Sequence, residues 1–470
     1  MIDLGAYLGE ASFKGLVLLG CIIITLFVWQ LSTIAWHVFF HPLRHFPGPL
    51  LQRASRLPYA IQQARGLSGF RTQQLHEKYG PVVRITPNHL SFTDPRAWRD
   101  IYSNSPRGKS EWPEMPKCRV FFARVDDQPD SILSTEYPEH QNIRRALSQG
   151  FSEASLSMQE SMIMKHVNLL MHQLHKRCDS NHRETLDMTA WYNWATFDIT
   201  GDLVFGQSFQ CLEKCEYHPF ILEILKGLKA ISIFISLIYL GHRWLVRLIF
   251  RVVGNQGIAL LRKTVDDLVL GRLSMEAGRS DVLEDILKHR QEWGFSFSQI
   301  SANAFIITIA GSETSATALA GTTYLLLSNP RTLKTLTEEI LRVVPPEGRE
   351  IAGHFVPGGT FVEVQSWSIN HSPDNWTEPW AFRPERFLVG GEEAKKGGDI
   401  LEASQPFSQG PRNCIGRSLS MAEMRLILSR IILDFDMRLG EDVGDWILQQ
   451  RSYPLWDKGP LNVLLTPVRS

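Results

Sequence analysis

Residues 406–416, PFSQGPRNCIG, place one cysteine, Cys414, in a short loop with Phe407, Gly410, Arg412 and Gly416. A thiolate is a metal ligand, and backbone N–H groups at a helix start favour the charged form of a cysteine. Glycines at 410 and 416 let the backbone approach a large flat group, because no Cβ stands in the way. Arg412 is placed to reach an anionic substituent of that group. A buried cysteine in a Gly/Pro turn would explain Cys414 alone, but not the spacing around it.

Two further pairs carry chemistry. In IITIAGSETSAT an acid, Glu313, precedes an alcohol, Thr314. Such a pair organises water and relays protons, although taken alone it also suits a helix surface. In PEHQNIRRALSQGFS, His140 and Arg144 share one helix face, with Arg145 as the alternate if the register slips. Solvated basic residues on a helix are the plainer reading of that pair. Cys211, Cys215 and His218 lie close enough to suggest a metal site. No second ligand pair accompanies them, which favours a structural role.

The elements that must position these groups are mainly helical. Residues from about 136 to 345 show apolar periodicity with few breakers, and SLSMAEMRLILSRIILDF (418–435) repeats the pattern behind the cysteine. YGPVVRITPNHLSFTDP reads as a β-hairpin around Pro87-Asn88, and REIAGHFVPGGTFVEVQSWSIN returns to strand character around Pro357. The expected fold class is mainly α with small β elements.

The 470 residues carry 49 basic and 49 acidic side chains, so no long-range field for nucleic acid exists. Six scattered cysteines do not make a disulfide scaffold in a chain of this size, which suits a reducing, cytosol-facing location. Residues 15–36, GLVLLGCIIITLFVWQLSTIAW, contain no charge. As a helix they span about 33 Å, against a hydrocarbon core of roughly 30 Å. The domain plan is therefore a short segment (1–14), a transmembrane anchor (15–36), a proline-rich neck (37–50) and one large domain (51–470). Arg44 and Arg53 follow the anchor, which places the domain on the cytoplasmic side. A second apolar stretch, Ala230 to Phe250, is bordered by His242, Arg243 and Arg247. It suits either a dip into the bilayer surface or a core helix.

FSQGPRNCIG resembles the haem-binding signature of the cytochrome P-450 superfamily at every fixed position. The resemblance implies the corresponding fold, haem b (iron protoporphyrin IX) as cofactor, and Cys414 as the axial thiolate of the iron. It also implies that Arg412 pairs with a haem propionate, that Phe407 shields the sulfur, and that His140 and Arg144 assist the propionates. Ala310-Gly311-Ser312-Glu313-Thr314 is similar to the family's oxygen-binding motif, with small residues approaching the haem and the acid–alcohol pair delivering protons. The anchor and HPLRHFPGPL neck look microsomal. The implied protein is an endoplasmic-reticulum, single-pass monooxygenase with a cytosolic catalytic domain. It would draw electrons from NADPH through a separate NADPH–cytochrome P-450 reductase, since no flavin or dinucleotide fingerprint occurs here. Its substrate would be a lipophilic small molecule, and in wording the chain is most similar to hydroxylases of filamentous-fungal secondary metabolism, trichothecene-type pathways included.

FRPERF (382–387) is similar to the segment that supplies an arginine, here Arg386, to a buried Glu–Arg–Arg network. Its partners should lie on a Glu-x-x-Arg helix, for which LTEEILRVVPPEG offers Glu339 and Arg342. Thr314 and Cys414 are only 100 positions apart, a few tens fewer than the resemblance implies. The sequence on either side of 340 matches the two flanks of a missing segment, so an internal deletion is expected there. Glu339 and Arg342 then adjoin by accident, and Arg386 loses its carboxylate partner. Two alternatives to hydroxylation follow: an impaired member that cannot hold haem, and a member catalysing desaturation or rearrangement.

Overall fold

The computed structural model describes residues 4–103, 114–120, 129–178, 185–253, 256–275, 279, 281–329, 342–343, 349–387 and 397–468. The chain opens with α1 (Leu4–Ala35), which continues through a π-helical turn to Phe40. Within it, Val17–Phe40 is long and apolar enough to cross a membrane, and of that span only Val38 is buried. Pro42 and the prolines beyond end the helix. The neck then docks on the domain: the Arg84 N–H donates to Pro47 O at 2.7 Å, and the buried Arg84 side chain donates to His37 O at 3.0 Å. Gly48 permits this approach, since a Cβ there would stand 2.3 Å from Arg84 O.

The expected hairpin forms as β1 (Val82–Thr86) and β2 (His89–Phe92), antiparallel, with Val83 opposite Ser91. The helices that follow include α2 (Glu139–Ser148), α3 (Glu153–Cys178) and, after β3 (Thr185–Asp187), α4 (Met188–Phe205). Nearly every side of α4 is buried, so it runs through the core rather than over it. Gly206, at φ 72°, ends it in the left-handed conformation that glycine adopts freely. The apolar stretch 230–250 is divided at Gly241 between α5 (Pro219–Tyr239) and α6 (Arg243–Val253). One face of α5 is buried, and α6 exposes Trp244, Leu248 and Val252. Helix α7 (Gln256–Leu273) leads toward α8 (Phe297–Ser328).

Helix α8 is the long central element. A capping box starts it: Ser296 Oγ accepts from the Gln299 N–H at 3.2 Å, and Gln299 Oε1 accepts from the Ser296 N–H at 3.0 Å. It packs along α4, where Tyr192 Oη and Thr323 Oγ1 are 2.6 Å apart and Ser312 Oγ donates to Thr196 O at 3.3 Å. Beyond it come β4 (Arg342–Val343), the hairpin β5 (Arg349–Ile351) and β6 (His354–Val356), and β7 (Phe361–Val364). The main sheet has the order β1-β2-β7-β4, with β7 parallel to β2 and antiparallel to β4. Helix α9 (Arg417–Asp434) follows the cysteine loop. A second sheet joins β3 to two late strands, Phe435–Leu439 and Asn462–Pro467.

The region near 340 carries one correction, at Arg386. Arg342 pairs in strand register with Val362, so it does not end a Glu-x-x-Arg helix. Glu339 lies outside the described residues. Arg386 is not left without a carboxylate: its Nη1 donates to Asp399 Oδ2 at 2.7 Å, with both side chains buried. Its Nη2 donates to Glu378 O at 2.9 Å.

Candidate active site

The cysteine loop is fixed from inside. The Cys414 N–H donates to Phe407 O at 2.9 Å, and the Asn413 N–H to Gly410 O at 3.1 Å. Gly410 sits at φ 74°, and a Cβ on it would stand 1.9 Å from Tyr102 O. The close approach that requires this glycine is thus to protein backbone, not to a bound group. Gly416 is under no such constraint, since its Cβ would meet Phe151 at an ordinary 3.7 Å. Phe407 is half-buried and carries the Arg417 guanidinium 5.6 Å from its ring centre.

Arg144 reaches this loop from α2. Its Nη1 donates to Asn413 O at 2.8 Å and its Nη2 to Asn413 Oδ1 at 2.5 Å. Burial lowers its pKa, and the neighbouring Cys414 opposes that shift. His140, one turn earlier, is buried. Arg145 points to solvent, which removes it as the alternate. Arg412 is buried and faces Glu114: its Nε donates to Oε1 at 2.7 Å and its Nη2 lies 2.6 Å from the same oxygen. Its Nη1 donates to Thr135 O at 2.9 Å. Two stretches of the chain therefore bring Cys414, Arg412 and Arg144 together.

Helix α8 carries the second group of residues, whose cavity is not lined by Cys414, Arg412, Arg144 or His140. Ala310 and Thr314 line a cavity of about 1720 Å³ together with Phe305, Ile306 and Ile309. Thr314 Oγ1 donates to Ala310 O at 2.6 Å. Gly311 faces α4 instead, where a Cβ would meet Thr200 Oγ1 at 3.4 Å. So one small residue serves the cavity and the other serves helix packing. Glu313 also turns away from the cavity lining: its carboxyl is buried against Lys458 Nζ, which donates to Thr317 Oγ1 at 2.7 Å as well. Burial raises the pKa of Glu313, and Lys458 works against that rise. The expected acid–alcohol pair is therefore adjacent in sequence but divided in space.

Helices α8 and α9 are tied just behind these groups. Ser315 Oγ and Ser420 Oγ are 3.0 Å apart, one residue past Thr314 and six past Cys414. Glu423 lies fully buried beside them, and burial pushes its pKa up to about 8 while a hydrogen bond from Ser315 opposes the shift. In the unfolded chain a glutamate titrates near ~4.3. Between those values the folded protein holds a proton that the unfolded chain has lost, so stability falls as pH rises toward 8. The slope is about 1.4 kcal/mol per pH unit for one proton. Glu423→Gln is expected to flatten that slope, matching the parent below about pH 4 and exceeding it in melting temperature at pH 8.5. Parallel thermal melts across pH check this, and parallel slopes for the two proteins would refute it.

Sequence reasoning missed Glu114, Asp399, Glu423, Lys458 and Lys117, whose Nζ donates to Leu133 O at 2.9 Å beside the cavity. Glu423 lies within the periodic segment 418–435, but the period does not mark a buried acid; the other four lie outside any local periodic signal. The Cys211–Cys215–His218 group lies at the turn into α5. His218 Nδ1 accepts from the Phe220 N–H to cap α5, burial pushes the Cys211 thiol up to about 12, and no metal-holding cluster occurs among the described residues.

Comparison with known proteins adds a family. The sequence profile of cytochrome P450 matches residues 49–352 and 346–458. A cytochrome P450 monooxygenase of Talaromyces stipitatus is 40% identical over 474 residues, covering 93% of this chain and 92% of its own. Averantin hydroxylase of Dothistroma septosporum is 36% identical over 513 residues, covering 98% and 94%. Trichothecene C-15 hydroxylase of Fusarium sporotrichioides is 35% identical over 484 residues, covering 92% and 95%.

Proposed function

The chain belongs to the cytochrome P450 family, and from that premise we propose a membrane-anchored monooxygenase that hydroxylates an apolar small molecule in fungal secondary metabolism. The observation that carries the reading is the gathering of one thiol and two guanidiniums, Cys414, Arg412 and Arg144, beside the helix that presents Thr314 to a large cavity. That donor set fits a haem: one soft sulfur for the iron and cations for two carboxylates. Cys414 would ligate the iron, while Arg412, Arg144 and His140 would serve the propionates. Haem held there would supply the dioxygen chemistry of a monooxygenase, with electrons from a separate reductase.

The chain's own residues set the conditions. Ile306, Ile309 and Phe305 keep the cavity wall apolar and exclude water from the reacting carbon. Thr314 holds a hydroxyl proton at that wall, now donated to Ala310 O. Glu313 holds its carboxyl against Lys458 and must leave that lysine to exchange protons with Thr314. The cavity's apolar lining supports a lipophilic substrate, and the relatives named averantin hydroxylase and trichothecene C-15 hydroxylase support a secondary metabolite as its class.

The apolar helix Val17–Phe40 supports a single-pass anchor in the endoplasmic reticulum, with the domain cytosolic and a separate NADPH-dependent reductase delivering electrons. A shortened connection between α8 and β7 is also part of the proposal. Its support is twofold: the family profile matches in two stretches that share residues 346–352, and the alignment with the T. stipitatus relative runs over 474 residues while using 93% of a 470-residue chain. An impaired enzyme is the second reading that this shortening favours. A carbon monoxide difference spectrum of dithionite-reduced membranes expressing the full chain separates the two. The expected result is a strongly red-shifted Soret band from thiolate-ligated haem, and well-expressed protein without it would overturn the monooxygenase reading in favour of the impaired one.

A further inference from the structure

We propose that Glu114 stands in for a haem propionate in the apoprotein, holding Arg412 until the cofactor arrives and giving way when it binds. The inference rests on the haem reading above. Arg412 is the residue whose charge a propionate would seek, yet each of its three nitrogens already has a partner. Glu114 Oε1 takes Nε and Nη2 at 2.7 and 2.6 Å, and Thr135 O takes Nη1 at 2.9 Å. Both side chains of the pair are nearly sealed, at 2% and 8% exposure. A buried guanidinium without an anion is strongly disfavoured, so the pair satisfies a need that the cofactor would otherwise meet.

The placement of Glu114 is what makes it a stand-in rather than a remote support. Glu114 sits on the guanidinium of Arg412, two residues before Cys414, and Arg144 is bonded to Asn413 between them, so this carboxylate lies among the groups that would face the cofactor's acidic edge. A second carboxylate brought to the same arginine would meet a like charge in a sealed setting, which costs affinity. Glu114 is free of helix and strand hydrogen-bond ladders, lying in the irregular stretch 114–116. It can therefore swing away without unravelling an element. Nearby, Lys117 donates to Leu133 O, two residues before the carbonyl that holds Arg412.

The test is a haem titration of the full-length protein after haem removal, comparing parent, Glu114→Gln and Glu160→Gln, an exposed acid on α3. Removing the competitor is expected to tighten haem binding about tenfold in Glu114→Gln while lowering the melting temperature of its haem-free form. Glu160→Gln should change neither. If Glu114→Gln binds haem no tighter than the parent, the stand-in role is overturned and the haem reading stands. If no variant, parent included, gives the thiolate-type carbon monoxide band, both fall together. Should Glu114→Gln fail to fold, Glu114→Asp, whose carboxylate is drawn back from Arg412, must shift haem affinity in the same direction by a smaller factor.

Discussion

Cys414→Ser is expected to erase the red-shifted Soret band of reduced, carbon monoxide-treated protein completely, leaving neutral-ligand haem or none, and to abolish monooxygenase turnover. The cause is electronic. A serine hydroxyl is a hard, protonated donor that cannot push electron density onto iron as a thiolate does. The loop itself should survive, because the features that shape it do not involve the sulfur. The Cys414 N–H bond to Phe407 O at 2.9 Å is backbone, and the contact of Gly410 with Tyr102 fixes the other end. The haem-free variant should therefore melt within about 1 kcal/mol of the haem-free parent, the scale of an ordinary surface or conservative change. A band that persists in Cys414→Ser would assign the sulfur ligand to another cysteine, and Cys118 and Cys211 are both buried.

What could be read from sequence was what is local. The loop 406–416 and α9 behind it depend on spacing within some thirty residues, and their positions follow from turn residues and helical period. The same holds for the β1–β2 hairpin and for α8, which falls within the helical stretch read over 136–345. Helical phase, by contrast, decided between neighbours that the sequence left equivalent. It sent Arg144 to the loop and Arg145 to solvent, and it gave Ala310 and Thr314 to the cavity while Gly311 and Glu313 face protein.

Buried charge pairs were the least legible features. Glu313 meets Lys458 across 145 positions and Arg412 meets Glu114 across 298, with nothing in either local sequence to name the partner. Such pairs form because a charge taken out of water must find its opposite, and only the folded chain shows which one is near. The fold, its cysteine loop and its apolar N-terminal helix were thus accessible from pattern, whereas the electrostatic setting of the site was not.

Asp399→Ala should be the most destabilising change outside the cysteine loop. The Arg386–Asp399 pair spans 2.7 Å with side-chain exposures of 6% and 1%, so no solvent is available to replace the carboxylate. Asp399 also accepts the Thr377 N–H at 2.6 Å, and the guanidinium lies 5.9 Å from the Trp376 ring centre. Removing one member of a buried pair costs on the order of 3–5 kcal/mol, a large part of the ~5–15 kcal/mol that holds a domain together. Chemical denaturation of the haem-free protein should show that loss directly, and the carbon monoxide band should weaken in step as the segment before the cysteine loop loosens. Arg386→Met combined with Asp399→Ala should recover most of the loss, because no unpaired charge then remains buried. The double-mutant cycle therefore has a stated sign: the double variant is more stable than Asp399→Ala alone. If Asp399→Ala costs less than about 1 kcal/mol, the pair is not what holds this region, and Arg386 must be satisfied by Glu378 O and its other neighbours.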